Sequence, residues 1–181
     1  MGQSKQLLAF RGEALVERAV REAGEAGFAP IVVVIGAGAQ AIRDKLAAER
    51  IFLVENERWQ TGMGSSIAAG IQFLRDLETD AAAIAILLAD QPLIVASHLR
   101  EMRSIFSRAG GAIVAARYNG ALGVPALFKR ALFGALAALD GETGARSLLR
   151  NPEYNVVPYD LPEAAVDIDT PEDFATLSST V

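Results

Sequence analysis

The stretch Ala81 to Leu93, AAAIAILLADQPL, limits the possible folds more than any other part of the chain. An unbroken apolar run from Ala81 to Ala89 closes abruptly on Asp90-Gln91-Pro92. Such a run, ended by a charge and a proline, reads as a fully buried strand at the centre of a parallel sheet covered on both faces. In such sheets ligands gather outside the carboxyl ends of the strands. Asp90 is then expected at that edge, where a carboxylate can hold a metal ion. The plainer alternative is that Asp90 only starts the turn before Pro92, a position aspartate favours.

Strand and helix patterns alternate around this stretch. Leu15, Ala19, Val20, Ala23 and Ala26 recur at helical spacing, so residues 13–26 read as an amphipathic helix stopped by Gly27. Strands are expected at 31–35, 51–54, 112–116 and 154–158, and helices at 38–46, 62–77, 96–108, 129–139 and 145–150. Residues 117–124 read as a turn or hairpin. Thr170 and Pro171 have the character of an N-cap and first residue of a closing helix. This alternation predicts one domain over residues 1–181, a three-layer α/β fold with a mostly parallel sheet.

Composition narrows the chemistry. The net charge of −5 leaves no basic footprint for nucleic acid and no polybasic signal for a membrane. With no cysteine, thiolate sites and thiol nucleophiles are excluded, and one histidine, His98, excludes a multi-histidine zinc site. No apolar run is long enough to span a bilayer, and Met1 to Lys5 leads into no signal-peptide core, so a cytoplasmic protein is expected. There is no Walker pattern, no G-x-S-x-G elbow and no Ser-His-Asp arrangement.

Four features carry possible chemistry. Gly36-Ala37-Gly38-Ala39-Gln40-Ala41 follows a strand and fits a dinucleotide fingerprint with Glu55 as the ribose acid, against the plainer reading of a tight βα turn. Asp90, with Asp167 or Asp169, offers carboxylates that can converge on one Mg²⁺, an ion that takes a few carboxylates together with phosphate oxygens and water. Lys5 can neutralise phosphate. Thr61 to Ser66 opens a helix whose N–H groups and hydroxyls are either free for a ligand or simply a well-made cap. Trp59, just upstream, reads as core rather than as a stacking surface.

Taken together, MGQSKQLL (1–8), NERWQTGMGSSIAAG (56–70), LLADQPLI (87–94), GALGVPALF (120–128), GETGARSLL (141–149) and DIDTPEDF (167–174) resemble the MobA-like nucleotidyltransferases, in that family's order. The resemblance is strongest to the molybdenum cofactor cytidylyltransferase branch. It implies a Rossmann-like fold and transfer of CMP from CTP to the terminal phosphate of molybdopterin, with Mg²⁺ and release of pyrophosphate. Lys5 matches the lysine that contacts triphosphate, and Asp90 the metal-binding aspartate. Gly64 and Ser65 match the segment near base and ribose. Gly123, Pro125, Gly144 and Arg146 match segments on the pterin side. Asp167 and Asp169 are both candidates for the second acidic ligand. The attacking phosphate is already ionised at neutral pH, so no general base is required, in keeping with the lack of a catalytic histidine.

The family pattern opens with a hydrophobic strand and a loop like L-A-A-G-x-S-x-R, followed by M-G-x-x-K; this sequence starts at that Met. The first strand, the glycine loop and its arginine are therefore expected to be lacking, with weak or no catalysis by the chain as it stands. Related expectations are a guanylyltransferase using GTP, a non-catalytic carrier that delivers the cofactor to a client molybdoenzyme, and an NAD-binding domain using Gly36, Gly38 and Glu55.

Overall fold

The computed structural model describes residues 5–168. A 3-10 turn at Lys5–Leu7 leads into a short hairpin of β1 (Ala9–Phe10) and β2 (Glu13–Ala14). Its turn residues, Arg11 and Gly12, both have positive φ, as a two-residue hairpin turn requires. Helix α1 (Leu15–Glu25) follows, then β3 (Val32–Ile35), α2 (Ala39–Lys45), β4 (Phe52–Glu55), α3 (Met63–Asp76), β5 (Ala83–Ile86) and α4 (Ala96–Ala109). The second half holds β6 (Ile113–Tyr118), β7 (Ala121–Lys129), α5 (Phe133–Ala137), α6 (Arg146–Leu149) and β8 (Val156–Asp160). The closing helix expected after Pro171 lies outside the described residues.

The α/β expectation holds, with mixed ladders. β3 pairs with β4 in parallel, and β6 with β8 in parallel. β7 lies between β5 and β6, antiparallel to both. It runs antiparallel because Asn119-Gly120, both at positive φ, folds β6 directly back onto β7. Residues 117–124, read as a turn or hairpin, are a hairpin: they hold the end of β6, the Asn119-Gly120 turn and the start of β7, which runs on to Lys129.

β6 sits at the centre, and Ile113 to Ala116 are fully excluded from solvent. Its alternation sends Ile113 and Ala115 to one face, against Phe133, Leu136 and Leu149. Val114 and Ala116 go to the other, against Leu99 and Met102 of α4. Period-two side chains with helices on both faces make the three layers.

One expectation is corrected here. Residues 81–89 are not a fully buried strand: β5 covers Ala83–Ile86, and every residue of it is half-buried. Among the described residues β5 pairs only with β7, and β3 only with β4. Each therefore has an edge with no neighbouring strand there, and side chains beside an uncovered edge stay accessible.

Phe128 is fully buried where β5, β6 and α5 meet. Phe128→Ala is expected to cost about 3–5 kcal/mol through lost transfer energy and the cavity left behind. Urea denaturation of the two proteins measures it.

Candidate functional site

Asp90 stands just past β5, in the turn that the apolar run leads into. Its side chain is 16% exposed, and Oδ2 lies 2.7 Å from the ammonium of Lys5. Oδ1 is buried and accepts no hydrogen bond from the protein. A buried carboxylate oxygen without a donor is costly unless a cation or water meets it. The Asp90 carbonyl accepts from the N–H of Ile168 at 3.0 Å, which brings the Asp167-Ile168 segment alongside. Asp167 is exposed beside this contact, and Asp169 lies outside the described residues. Among the described residues no three His, Cys, Asp or Glu side chains gather. Asp90 with one acid from that segment fits an ion that takes the rest of its ligands from phosphate and water.

Gln91 ties this edge to the segment holding Gly123 and Pro125. Its Nε2 donates to the carbonyls of Val124 (3.1 Å) and Ala164 (2.8 Å). The β6–β7 register shifts between Ala115 and Ala116, so that Ala116 faces Gly123 and the Val124-Pro125 step bulges toward Gln91. Gly123 leaves room there for Tyr118: a Cβ would stand 2.3 Å from its hydroxyl, and the ring would have to move.

Gly64, Ser65 and Gly144 form a second group. The Gly64 N–H donates to the Gly141 carbonyl at 2.8 Å, and a Cβ on Gly64 would meet the Asp140 backbone at 2.6 Å. The start of α3 is thus docked onto the 140–144 loop through the Gly64 N–H, as the reading of this stretch as a helix cap has it. Ser65 is buried; its hydroxyl lies within bonding distance of the Gly62 and Arg58 carbonyls and accepts from Asn56. Arg146 is exposed. Asp140 accepts from the Gly141 N–H, the Thr61 hydroxyl and Arg58, and these donors, Gly141 first, hold its carboxyl below the usual carboxylate range. A cleft of about 440 Å³ opens between α3 and α5, bordered by Asn56, Arg58, Gln72, Ala138 and Asp140. Val124 joins the two groups, since its side chain packs into the cluster containing Ala145 and Ile67 while its carbonyl meets Gln91.

Trp59 is 44% exposed, against the expectation of core. It lies over Gly36, where a Cβ would stand 2.6 Å from the Trp59 Cβ. The glycine of the fingerprint thus makes room for an indole of the same chain. β3, α2 and β4 do form a parallel βαβ unit ending at Glu55, but Glu55 is paired with Arg43 of α2.

Sequence reasoning missed Arg18 and Glu22. Glu22 is 6% exposed, on the face of α1 that also carries Leu15 and Ala26. A glutamate at helical spacing from apolar positions was the available signal.

Residues 1–157 match the MobA-like NTP transferase domain. The chain is 33% identical to the nicotine blue oxidoreductase of Paenarthrobacter nicotinovorans, over 93% of this chain and 84% of that protein. It is 26% identical to the purine catabolism protein PucB of Bacillus subtilis strain 168, over 96% and 87%. Its fold superposes on Rv0371c of Mycobacterium tuberculosis H37Rv with a TM-score of 0.82 and 27% identity, covering 100% of this chain and 92% of that one. A second structure of Rv0371c, with a TM-score of 0.77, is a complex with manganese. The chain belongs to the MobA-like NTP transferase domain family.

Gly36→Ala is expected to displace Trp59 and shift the emission of this lone tryptophan, whereas Gly134→Ala, whose Cβ would meet nothing within 4 Å, leaves it unchanged. Fluorescence spectra of the two variants check this. Because the Asp140 carboxyl is held low in the folded chain, its contribution is complete above the ordinary carboxylate range, about pH 4, and is lost as pH falls through the lower folded value. An NMR titration of the Gly141 amide is expected to stay flat from pH 7 to 5 and move only at more acid pH.

Proposed function

We propose that the chain is a nucleotidyltransferase that moves CMP from CTP to the terminal phosphate of molybdopterin and releases pyrophosphate. The observation that carries this reading is Asp90, with one carboxylate oxygen buried and unmatched by any protein donor and the other against Lys5. Family membership supports nucleotidyl transfer. The manganese held by Rv0371c supports a divalent cation, for which Mg²⁺ is our assignment.

Asp90 and one of Asp167 and Asp169 would hold the ion. When bound, it would supply positive charge to offset the charge that develops on the phosphate. Lys5 would turn from Asp90 to the triphosphate, so the same ammonium that now neutralises the carboxylate would neutralise the nucleotide. Gly123 and Pro125, held against Gln91, and Gly144 with Arg146 would border the pterin. Gly64 and Ser65 would shape the nucleotide side through backbone packing, since the Ser65 hydroxyl is already engaged. On this reading the protein would act in the cytoplasm with nucleotide and cofactor as its partners, a client molybdoenzyme downstream, and GTP as the competing nucleotide.

A second reading comes from the relative named an oxidoreductase. It would make the chain a nicotinamide-dependent reductase built on Gly36, Gly38 and Glu55. The contact between Gly36 and Trp59 and the pairing of Glu55 with Arg43 weigh against it.

Pyrophosphate release is to be measured with molybdopterin and each of CTP, GTP and ATP. CTP-dependent release is expected. Asp90→Asn is expected to lower it roughly 10²–10³-fold, the effect of removing one electrostatic contact at a developing charge. Oxidation of NADH without pyrophosphate release would replace this reading with the reductase.

A further inference from the structure

The turn that carries Asp90 is gripped from outside by a buried ion pair with no part in the chemistry above. Arg18 and Glu22 lie one helical turn apart on α1, with side chains 11% and 8% exposed and 3.4 Å between Nη2 and Oε1. Arg18 Nε donates to the Pro92 carbonyl at 2.7 Å. Glu22 Oε2 accepts from the Ala96 N–H at 2.6 Å. Ala96 opens α4, whose N-cap, Val95, supplies no side-chain acceptor and whose first turn has no acid. Glu22 therefore caps α4 from a different helix, and its negative charge faces the positive end of the α4 dipole.

These two bonds fix the chain at Pro92 and Ala96, on the far side of Asp90 from β5. Ile168 holds the Asp90 carbonyl, and Gln91 reaches across to Val124 and Ala164. A carboxylate in a turn has a defined direction only if the turn has one. Here β5 fixes the entry and the Arg18–Glu22 pair fixes the exit. Burying an ion pair for stability alone is a poor use of it, because desolvation offsets much of the attraction. Outer groups that orient a metal ligand, by contrast, typically change metal affinity tenfold to a hundredfold.

We propose that Arg18 and Glu22 are positioning residues that aim the Asp90 carboxylate. The proposal rests on the reading that Asp90 holds a divalent cation. Arg18 acts through its planar guanidinium, whose Nε serves Pro92 while Nη2 stays in ion-pair reach of Glu22 Oε1, which also accepts from Arg21 Nη2 at 3.0 Å; a lysine keeps the charge and loses that geometry. Glu22 acts as the acceptor that joins α1 to α4.

The test uses the full chain with Mn²⁺ as the probe. Arg18→Lys, Arg18→Met and Glu22→Gln are compared with Asp90→Asn and with Arg43→Gln, which breaks an exposed pair elsewhere. Mn²⁺ affinity is read by water-proton relaxation, and amide hydrogen exchange is followed over residues 88–98. Arg18→Lys is expected to stay folded, speed exchange in that segment by about tenfold and weaken Mn²⁺ binding roughly tenfold. Glu22→Gln, which keeps an acceptor for Ala96, is expected to do the same to a smaller extent. Arg43→Gln is expected to do neither, and Asp90→Asn to abolish binding without changing exchange. Wild-type Mn²⁺ affinity in folded Arg18→Lys and Arg18→Met would overturn the positioning role while leaving the metal reading intact. Full Mn²⁺ binding by Asp90→Asn would overturn the metal reading itself, and the positioning role with it.

Discussion

Burial of β6 on both faces is the constraint from which the rest of the structure follows. Ile113 to Ala116 have strands on both sides and helices above and below, so no solvent reaches them. Neither small nor large residues can be exchanged freely there. Ala115 and Ala116 let α5 and α4 approach, while Ile113 and Val114 fill the space between. Once β6 is set, the Asn119-Gly120 turn fixes β7, and β7 fixes β5 by its antiparallel register. Asp90 thus inherits its place from β6 by way of β7 and β5.

The layered architecture was readable from period alone. Alternating apolar runs and helical patterns gave the order of elements and most of their bounds, because side-chain periodicity reflects which face is buried. The sequence did not show which strands pair. The run at 81–89 looks like a central strand because its composition suits one, yet composition cannot say whether neighbours stand on both sides. In the described residues β5 has a single partner, and its apolar side chains remain half-exposed. Trp59 misled for a related reason. A large aromatic is a good core residue, but here one side rests on Gly36 and much of the ring surface stays open.

At the site, the residues that were legible are those whose chemistry is unusual for their setting. Asp90 ends an apolar run, and Lys5 stands before a short apolar segment; each breaks its surroundings. Arg18 and Glu22 are different. An arginine and a glutamate four apart on a helix normally describe a solvated face, where such a pair contributes a few tenths of a kcal/mol. Their burial depends on α4 and the 90–96 turn arriving from 74 residues away, and the helical spacing of Glu22 with apolar positions marks a buried face without specifying that partner. Gly64 and Ser65 lie between these cases. Their place at the start of α3 was evident, but the loop that consumes the Gly64 N–H comes from the other half of the chain.

The same logic separates nucleotidyl transfer from nicotinamide binding. A dinucleotide fingerprint uses its glycines to let a pyrophosphate approach the backbone at the start of a helix. In this chain the space above Gly36 is taken by Trp59, and α2, at 7 residues, is short. Glu55, which would have to accept from a ribose hydroxyl, accepts from Arg43 instead. Each of these groups is matched within the protein. Asp90 is not: its Oδ1 is removed from water with no donor, and Lys5 meets only the other oxygen. A buried carboxylate oxygen with no donor calls for a ligand, while a matched turn calls for none. On that difference the proposed function rests on the Asp90 edge rather than on the Gly36 turn.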